Sequence, residues 1–195
     1  MPRLYILAGC NGAGKTTASY TFLPEILDCR EFVNSDEFAK SLSPFDPNLA
    51  SVAASRFMIR RIQYLLDLGA DFSIETTLAT RSLVSTIKNA RSRGYTITLI
   101  YLWVQNPELA IQRVRDRVAS GGHNIQEDVL RRRYGVGLKY LFDIYMPLCD
   151  RWMIGDNTNP PFSLVAEGNN TRTIIKDEEK FKKIRKLVES DEEQL

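Results

Sequence analysis

The sequence predicts an α/β fold in which a mainly parallel sheet is flanked by helices. Three observations predict it. Short apolar runs alternate with longer stretches at helical spacing, the pattern of strand–helix–strand units. The strongest run, Thr96-Ile97-Thr98-Leu99-Ile100-Tyr101-Leu102-Trp103-Val104, is apolar nearly throughout, as a strand buried on both faces should be. The first run leads straight into a glycine-rich turn, Gly9-Cys10-Asn11-Gly12-Ala13-Gly14-Lys15-Thr16, that opens a helical stretch.

The elements follow in order. Leu4 to Ala8 is the first strand, and a helix follows over roughly 15–23. Glu31-Phe32-Val33 is a short second strand, before a helical pattern over 47–68. Phe72-Ser73-Ile74 is the third strand, and helices over 80–92 and 107–120 bracket the long fourth one. Trp152-Met153-Ile154 supplies a fifth. Beyond Gly155, Asp156-Asn157-Thr158-Asn159-Pro160-Pro161 is a loop by composition. Phe162 to Ala166 and Thr171 to Lys176 then read as a hairpin about Glu167-Gly168-Asn169-Asn170. At the end, Phe181, Ile184, Leu187 and Val188 form one apolar stripe, with acids at its start to suit the helix dipole. This predicts a docked surface helix with the last five residues frayed.

With 195 residues the chain is expected to be a single domain, 1–195, burying about 70% of its unfolded surface. A net charge of +2 implies neither nucleic acid nor a membrane surface as partner. The three cysteines, Cys10, Cys29 and Cys149, form no CxxC pair and no cluster with the single histidine. No run reaches the roughly 20 apolar residues that span a bilayer. A cytoplasmic protein is the expectation.

The glycine-rich turn carries the chemistry. It matches Gly-x-x-x-x-Gly-Lys-[Ser/Thr] between a strand and a helix, the context that a phosphate-binding P-loop needs. Glycines free the backbone to aim successive N–H groups at phosphate oxygens, and the helix N-terminus adds positive charge. Gly9, Asn11, Gly12, Ala13, Gly14, Lys15, Thr16 and Thr17 are therefore the candidate ATP cradle. Lys15 is placed for the β- and γ-phosphates, and the Thr16 hydroxyl for Mg²⁺.

Phosphoryl transfer also needs a group to position the nucleophile and cations to spread over the moving charge. Ligands of such sheets sit beyond the carboxyl ends of the strands. Two acids fall there: Asp36 after the second strand and Glu75 after the third. Ser35 could cap a helix, with Asp36 and Glu37 merely suiting its first turn. Glu75 ends an apolar strand, where a carboxylate gains nothing from burial; it suits Mg²⁺ or an acceptor hydroxyl, with Thr76 and Thr77 beside it. Six arginines against three acids crowd Ile111 to Arg133. Arg113 and Arg117 share a helix face and Arg115 points away. Gly121-Gly122 would hinge a lid over roughly 113–134, with His123 as a phosphate or substrate contact. Asn124-Ile125-Gln126-Glu127 has the form of a capping box starting the next helix. Arg131, Arg132 and Arg133 fan over about 200° and cannot all reach one ligand; Arg132 is the candidate for ATP.

The blocks "GCNGAGKTT", "FVNSDEFA", "FSIETT", "YLWVQNPELAIQRVRDRV" and "GGHNIQEDVLRRRYGVGL" together resemble the zeta-toxin-like P-loop kinases, from about Leu4 to Asn169. The resemblance implies a kinase fold with a five-stranded core and transfer of ATP's γ-phosphate to a small-molecule hydroxyl. In the toxin members that hydroxyl belongs to the amino sugar of UDP-N-acetylglucosamine. It further implies Asp36 as base, Glu75 as substrate-binding acid and Arg113 or Arg117 as a phosphate-contacting arginine. His123 stands where the toxin branch has another arginine. An antitoxin protein is the partner it suggests.

A Mg-ATP-dependent small-molecule kinase is thus the leading reading. The alternatives are a nucleotide-binding module controlled by an antitoxin-like partner, with little catalysis, and a kinase of nucleic-acid ends. The absence of an Asn-Lys-x-Asp signature argues against a GTPase switch, and the absence of an aromatic-interleaved basic groove against nucleic acid.

Overall fold

The computed structural model describes residues 1–120, 124–159 and 161–190. One seven-stranded sheet organises them, in the order β2-β3-β1-β4-β5-β6-β7. β1 (Arg3–Ala8) is central, between β3 (Phe72–Thr76) and β4 (Thr96–Trp103), and β2 (Phe32–Val33) and β5 (Arg151–Asp156) extend the parallel part on either side. β6 (Ser163–Gly168) and β7 (Thr173–Ile175) add an antiparallel hairpin to β5. Five parallel strands and a hairpin are what the apolar runs predict. The hairpin turn falls later than the sequence suggests, because Asn169 Oδ1 accepts from the N–H groups of Thr171 and Arg172 and fixes the reversal there.

Helices cover both faces: α1 (Lys15–Thr21), α2 (Ser35–Leu42), α3 (Ser51–Leu68), α4 (Leu83–Ser92), α5 (Pro107–Ala119), α6 (Glu127–Tyr140), α7 (Met146–Leu148) and α8 (Glu178–Ser190). π-helical turns follow α1 and α6, and a 3₁₀ turn, Pro47–Ala50, precedes α3. Leu4, Ile6, Phe72, Ile74, Ile97 and Leu99 are fully buried at the centre. α8 docks through Ile184 and Val188, as its stripe predicts. Among the described residues, no helix is long and apolar enough to cross a membrane.

Two helix starts differ from expectation. α2 is capped by Asn34, whose Oδ1 accepts from the N–H groups of Asp36 and Glu37, and Ser35 is already its first residue. α6 begins at Glu127 after Gln126, with no side-chain cap, so Asn124 closes no capping box. Tertiary contacts replace the cap. Glu127 pairs with Arg115, and Leu130 and Ile125 pack on Ile111, Val114 and Val118.

α6 is held to the body as well. Tyr134 donates to the Val104 carbonyl at 2.8 Å and accepts from the Trp103 indole at 3.1 Å, both inside the core. A Cβ on Gly137 would stand 2.6 Å from the Thr77 carbonyl, so this glycine lets α6 close on the loop after β3. α6, which holds the second half of the lid expected over roughly 113–134, is thus seated on the body of the protein. Gly121, Gly122 and His123 lie outside the described residues.

Candidate active site

Beyond the carboxyl ends of β1, β3 and β2 opens a cavity of about 1060 Å³, at the upper end of the range for small-molecule sites. Asn11, Gly12, Gly14, Lys15, Thr16 and Thr17 of the glycine-rich loop form one wall. Gly12 and Gly14 take φ of 81° and 83°, a region that side chains avoid. Both are also crowded: a Cβ on Gly12 would lie 2.3 Å from the Ala110 carbonyl, and one on Gly14 2.5 Å from Asn157 Nδ2. Gly9 and Ala13 support the loop from behind rather than lining the cavity; Ala13 offers its carbonyl to Asn157 at 2.7 Å.

Glu75 sits at the junction of the loop and the strand ends. Its Oε2 accepts from the Thr16 hydroxyl and from Asn34 Nδ2, each at 2.8 Å. Its Oε1 lies 3.6 Å from Lys15 Nζ, which also donates to the Cys10 carbonyl at 3.0 Å. Both side chains of this ion pair are nearly buried, with 5% and 10% of their surfaces exposed. A carboxylate at the end of an apolar strand is thus explained: it meets a lysine and two donors. Burial pushes the nearby Cys10 thiol up to about 11, so it stays protonated beside Lys15.

Asp36 stands exposed on the first turn of α2 and lines the same cavity as the loop. Glu37, Lys40, Pro47, Ser51 and Ser55 line it too. Lys40 is held by Glu37 at 2.7 Å. So do Arg113, Arg117 and Arg133. Arg113 donates to the Thr158 carbonyl at 2.8 Å and the Gly12 carbonyl at 3.4 Å, and Arg133 donates to Asn11 Oδ1 at 3.0 Å.

A family model described as zeta toxin matches residues 1–134. The chain belongs to the zeta toxin family. A protein of Haemophilus influenzae described only as uncharacterized is 32% identical over 126 residues, 65% of this chain and 88% of its own. Among solved structures, the AvrRxo1-ORF1:-ORF2 structure with ATP is similar with a TM-score of 0.76 at 19% identity, over 94% of this chain and 63% of that one. The chain therefore spans less than two thirds of that relative. The PezAT toxin–antitoxin system of Streptococcus pneumoniae matches with a TM-score of 0.66 at 19% identity, over 96% of this chain and 78% of that one. At these identities the likeness is one of fold, and the fold is that of P-loop kinases.

For this zeta toxin family member the geometry sorts the residues expected from sequence. Lys15, Thr16, Thr17, Asp36, Glu75, Arg113 and Arg117 share the one cavity. Thr76 and Thr77 do not line it. Their hydroxyls accept from Leu78 N–H at 3.1 Å and Ala79 N–H at 3.5 Å, shaping a turn in which Leu78 takes a φ of 57°. Arg132 is exposed and off the cavity, and Arg133 takes the place expected of it. The helix phase explains the exchange. α6 buries Leu130, Tyr134, Gly137 and Leu138, and at about 100° per residue Arg132 faces opposite while Arg133 and Arg131 flank that face. Arg131 turns to α5, where it bonds Glu108 at 2.5 Å and holds that carboxyl below its ordinary value. Sequence reasoning missed Asn34, Asn157 and Lys40; for Asn34, the signal available was its position one residue before a helix.

Proposed function

We propose that this chain is a Mg-ATP-dependent kinase acting on a hydroxyl of a small molecule. The observation that carries the proposal is that one cavity is lined by the glycine-rich loop, Glu75 and the Asp36 carboxylate together. Phosphate cradle and hydroxyl-orienting acid thus open on the same space, as an in-line transfer requires.

In this reading the loop and Lys15 bind the triphosphate. Asp36 accepts a hydrogen bond from the acceptor hydroxyl and orients it toward the γ-phosphorus. The acceptor oxygen forms a bond to that phosphorus while the bond to the β–γ bridging oxygen breaks. ADP leaves, and the hydroxyl proton passes to Asp36. Arg117 and Arg133 supply positive charge to the transferring oxygens. Arg113, already bonded to two backbone carbonyls, acts mainly by fixing the loop against the segment after β5.

The Thr16 hydroxyl and Glu75 Oε2, 2.8 Å apart, are hard oxygen donors that fit Mg²⁺. Among the described residues no group of three His, Cys, Asp or Glu side chains gathers, which suits an ion held by one carboxylate, one hydroxyl and substrate phosphates. When bound, the ion would neutralise charge on the phosphate oxygens.

The fold relatives include a structure with ATP and a toxin–antitoxin system, which supports ATP as phosphate donor and a protein as regulator. UDP-N-acetylglucosamine is the acceptor to try first, since the Asp36 and Glu37 carboxylates suit sugar hydroxyls. The test is a screen of small-molecule acceptors with γ-labelled ATP. Label transferred to a sugar-containing acceptor, and lost in Asp36→Asn, is the expected result. ATP binding with no transfer to any acceptor would favour the nucleotide-binding module instead.

A further inference from the structure

The large apolar side chains that stand exposed cluster in one segment of the described chain. Among the described residues, every large apolar side chain that stands exposed, apart from Met1, falls between Tyr20 and Leu68. The densest group lies where α2, the 3₁₀ turn and α3 meet: Phe45 is 103% exposed, Leu49 81%, Val52 64% and Ile59 68%. Single exposed apolar residues need no explanation, but a contiguous group does.

The group has an order. On α3, Val52, Arg56, Ile59, Arg60 and Gln63 form one stripe about 100° wide, opposite buried Ala54 and Leu65 and bordered at the Ile59 edge by buried Ile62 and Leu66. Arg56 and Arg60 make no ion pair among the described residues, whereas Arg61 is taken by Glu31 and Lys40 by Glu37. Asp46 is the only acid from Ser43 to Leu66, against three arginines. An apolar seam bordered by two uncommitted arginines is complementary to a helix with an apolar face bordered by acids. Phe and Arg are enriched at protein interfaces. Two arginines are fewer than the roughly four to eight basic residues that mark an anionic-lipid site.

The neighbouring phase of the same helix faces inward. Ser51 and Ser55 line the cavity, as does Pro47 between Phe45 and Leu49. Whatever covers the stripe therefore sits beside the part of the cavity that Pro47, Ser51 and Ser55 line, on elements other than the glycine-rich loop.

We propose that this face is the docking site for an acidic amphipathic helix of another protein, which closes the acceptor side of the cavity and leaves the nucleotide side open. Only the consequence for the acceptor rests on the kinase reading; the docking does not.

The test uses two labelled synthetic helices with the same leucine face, one bordered by glutamates and one by lysines, read by fluorescence anisotropy. The glutamate helix should bind the chain tighter by on the order of tenfold or more. Arg56→Glu with Arg60→Glu should invert that preference. Val52→Ser with Ile59→Ser, both exposed and harmless to the core, should weaken binding by about tenfold or more. The bound glutamate helix should leave binding of a fluorescent ATP analogue unchanged and inhibit transfer competitively with the acceptor.

Failure of both helices to bind, or an equal response to both, overturns the proposal. So does binding to phosphatidylserine vesicles that Arg56→Glu with Arg60→Glu abolishes while the glutamate helix stays free. Self-association abolished by Val52→Ser with Ile59→Ser, with no helix bound, would assign the face to a second copy and overturn it too. Helix binding without loss of transfer would overturn the closing of the acceptor side and leave the docking site standing.

Discussion

Replacing Glu75 with glutamine keeps its shape and removes its charge, with consequences that the geometry around Lys15 sets. Lys15 Nζ lies 3.6 Å from Glu75 Oε1, an attraction of about 5 kcal/mol at an effective dielectric of 20. Most of that is offset by desolvation, and breaking a buried pair costs about 3–5 kcal/mol. Here Lys15 keeps the Cys10 carbonyl and lines an open cavity, so a loss of about 1–3 kcal/mol is expected. In a chain of this length that lowers the melting temperature by roughly 3–10 °C. ATP reverses the sign, because its phosphates replace the missing anion beside Lys15. Glu75→Gln should therefore bind metal-free ATP more tightly than the native chain. Its demand for Mg²⁺ should rise, since one oxygen donor beside Thr16 has lost its charge. Calorimetric melting with ATP across a Mg²⁺ titration reads both effects. A variant with native melting temperature and native Mg²⁺ midpoint would refute the role of Glu75 in both the ion pair and the metal site.

The remaining predictions address the cradle, the base, the wall and the outer loop. Lys15→Ala should abolish transfer and weaken ATP binding, measured by isothermal calorimetry; unchanged affinity would remove the loop from the phosphate site. Asp36→Asn should lower single-turnover transfer by about 10²–10⁴ while ATP binding survives, because Asp36 belongs to α2 and not to the glycine-rich loop; undiminished transfer would leave Glu75 as the candidate. Gly137→Ala gains about 1 kcal/mol of helix propensity but drives a Cβ to 2.6 Å from the Thr77 carbonyl, an overpacking cost of about 1–3 kcal/mol. Net destabilisation in a urea melt is expected, and a stabilised variant would show that α6 is not closely seated. Asp156 is pushed up by burial but pulled further down by Thr158 and Lys180, to a net lowered value. Its contribution is complete above the unfolded aspartate value of about 3.9 and is lost as pH falls through the lower folded value. Lys180→Met should flatten stability in that acid range, read by near-UV circular dichroism; an unchanged acid limb would dismiss the clamp.

What was legible from sequence was whatever is written in local periodicity. The buried run from Thr96 and the glycine-rich turn each report one element in its own neighbourhood, and both stand where they were expected. The misplacements share a cause, which is competition that local reading does not weigh. Ser35 and Asn34 are both good caps, and Asn34 prevails because its amide also reaches Glu75, brought close by a parallel strand forty residues on. Asn124 lost its cap to contacts between α5 and α6. Thr76 and Thr77 had hydroxyls at the right address, but the turn after β3 uses them. The choice of Arg132 over Arg133 was recoverable, since the apolar phase of Leu130, Tyr134 and Leu138 turns Arg132 away from the body without any coordinates.

What holds the glycine-rich loop was illegible for a further reason. Its oxygens are taken by side chains remote in sequence: Arg113 bonds the Gly12 carbonyl, Asn157 the Ala13 carbonyl, and Arg133 the Asn11 side chain. Lys15 bonds the Cys10 carbonyl from within. In a trans peptide the N–H lies opposite the carbonyl. Fixing the Cys10 and Ala13 carbonyls therefore turns the N–H groups of Asn11 and Gly14 away from those donors, on a loop whose wall is the cavity. The anion site is organised before any phosphate arrives, by α5, α6 and the segment after β5. That segment is itself tied down, because Asp156 meets Lys180 of α8 at 3.0 Å and Thr158 accepts from the Gln105 N–H. A change in α8 can thus reach the phosphate cradle through Asp156 and Asn157 without touching it. The C-terminal helix, which the sequence shows only as a docked surface helix, is mechanically part of the site.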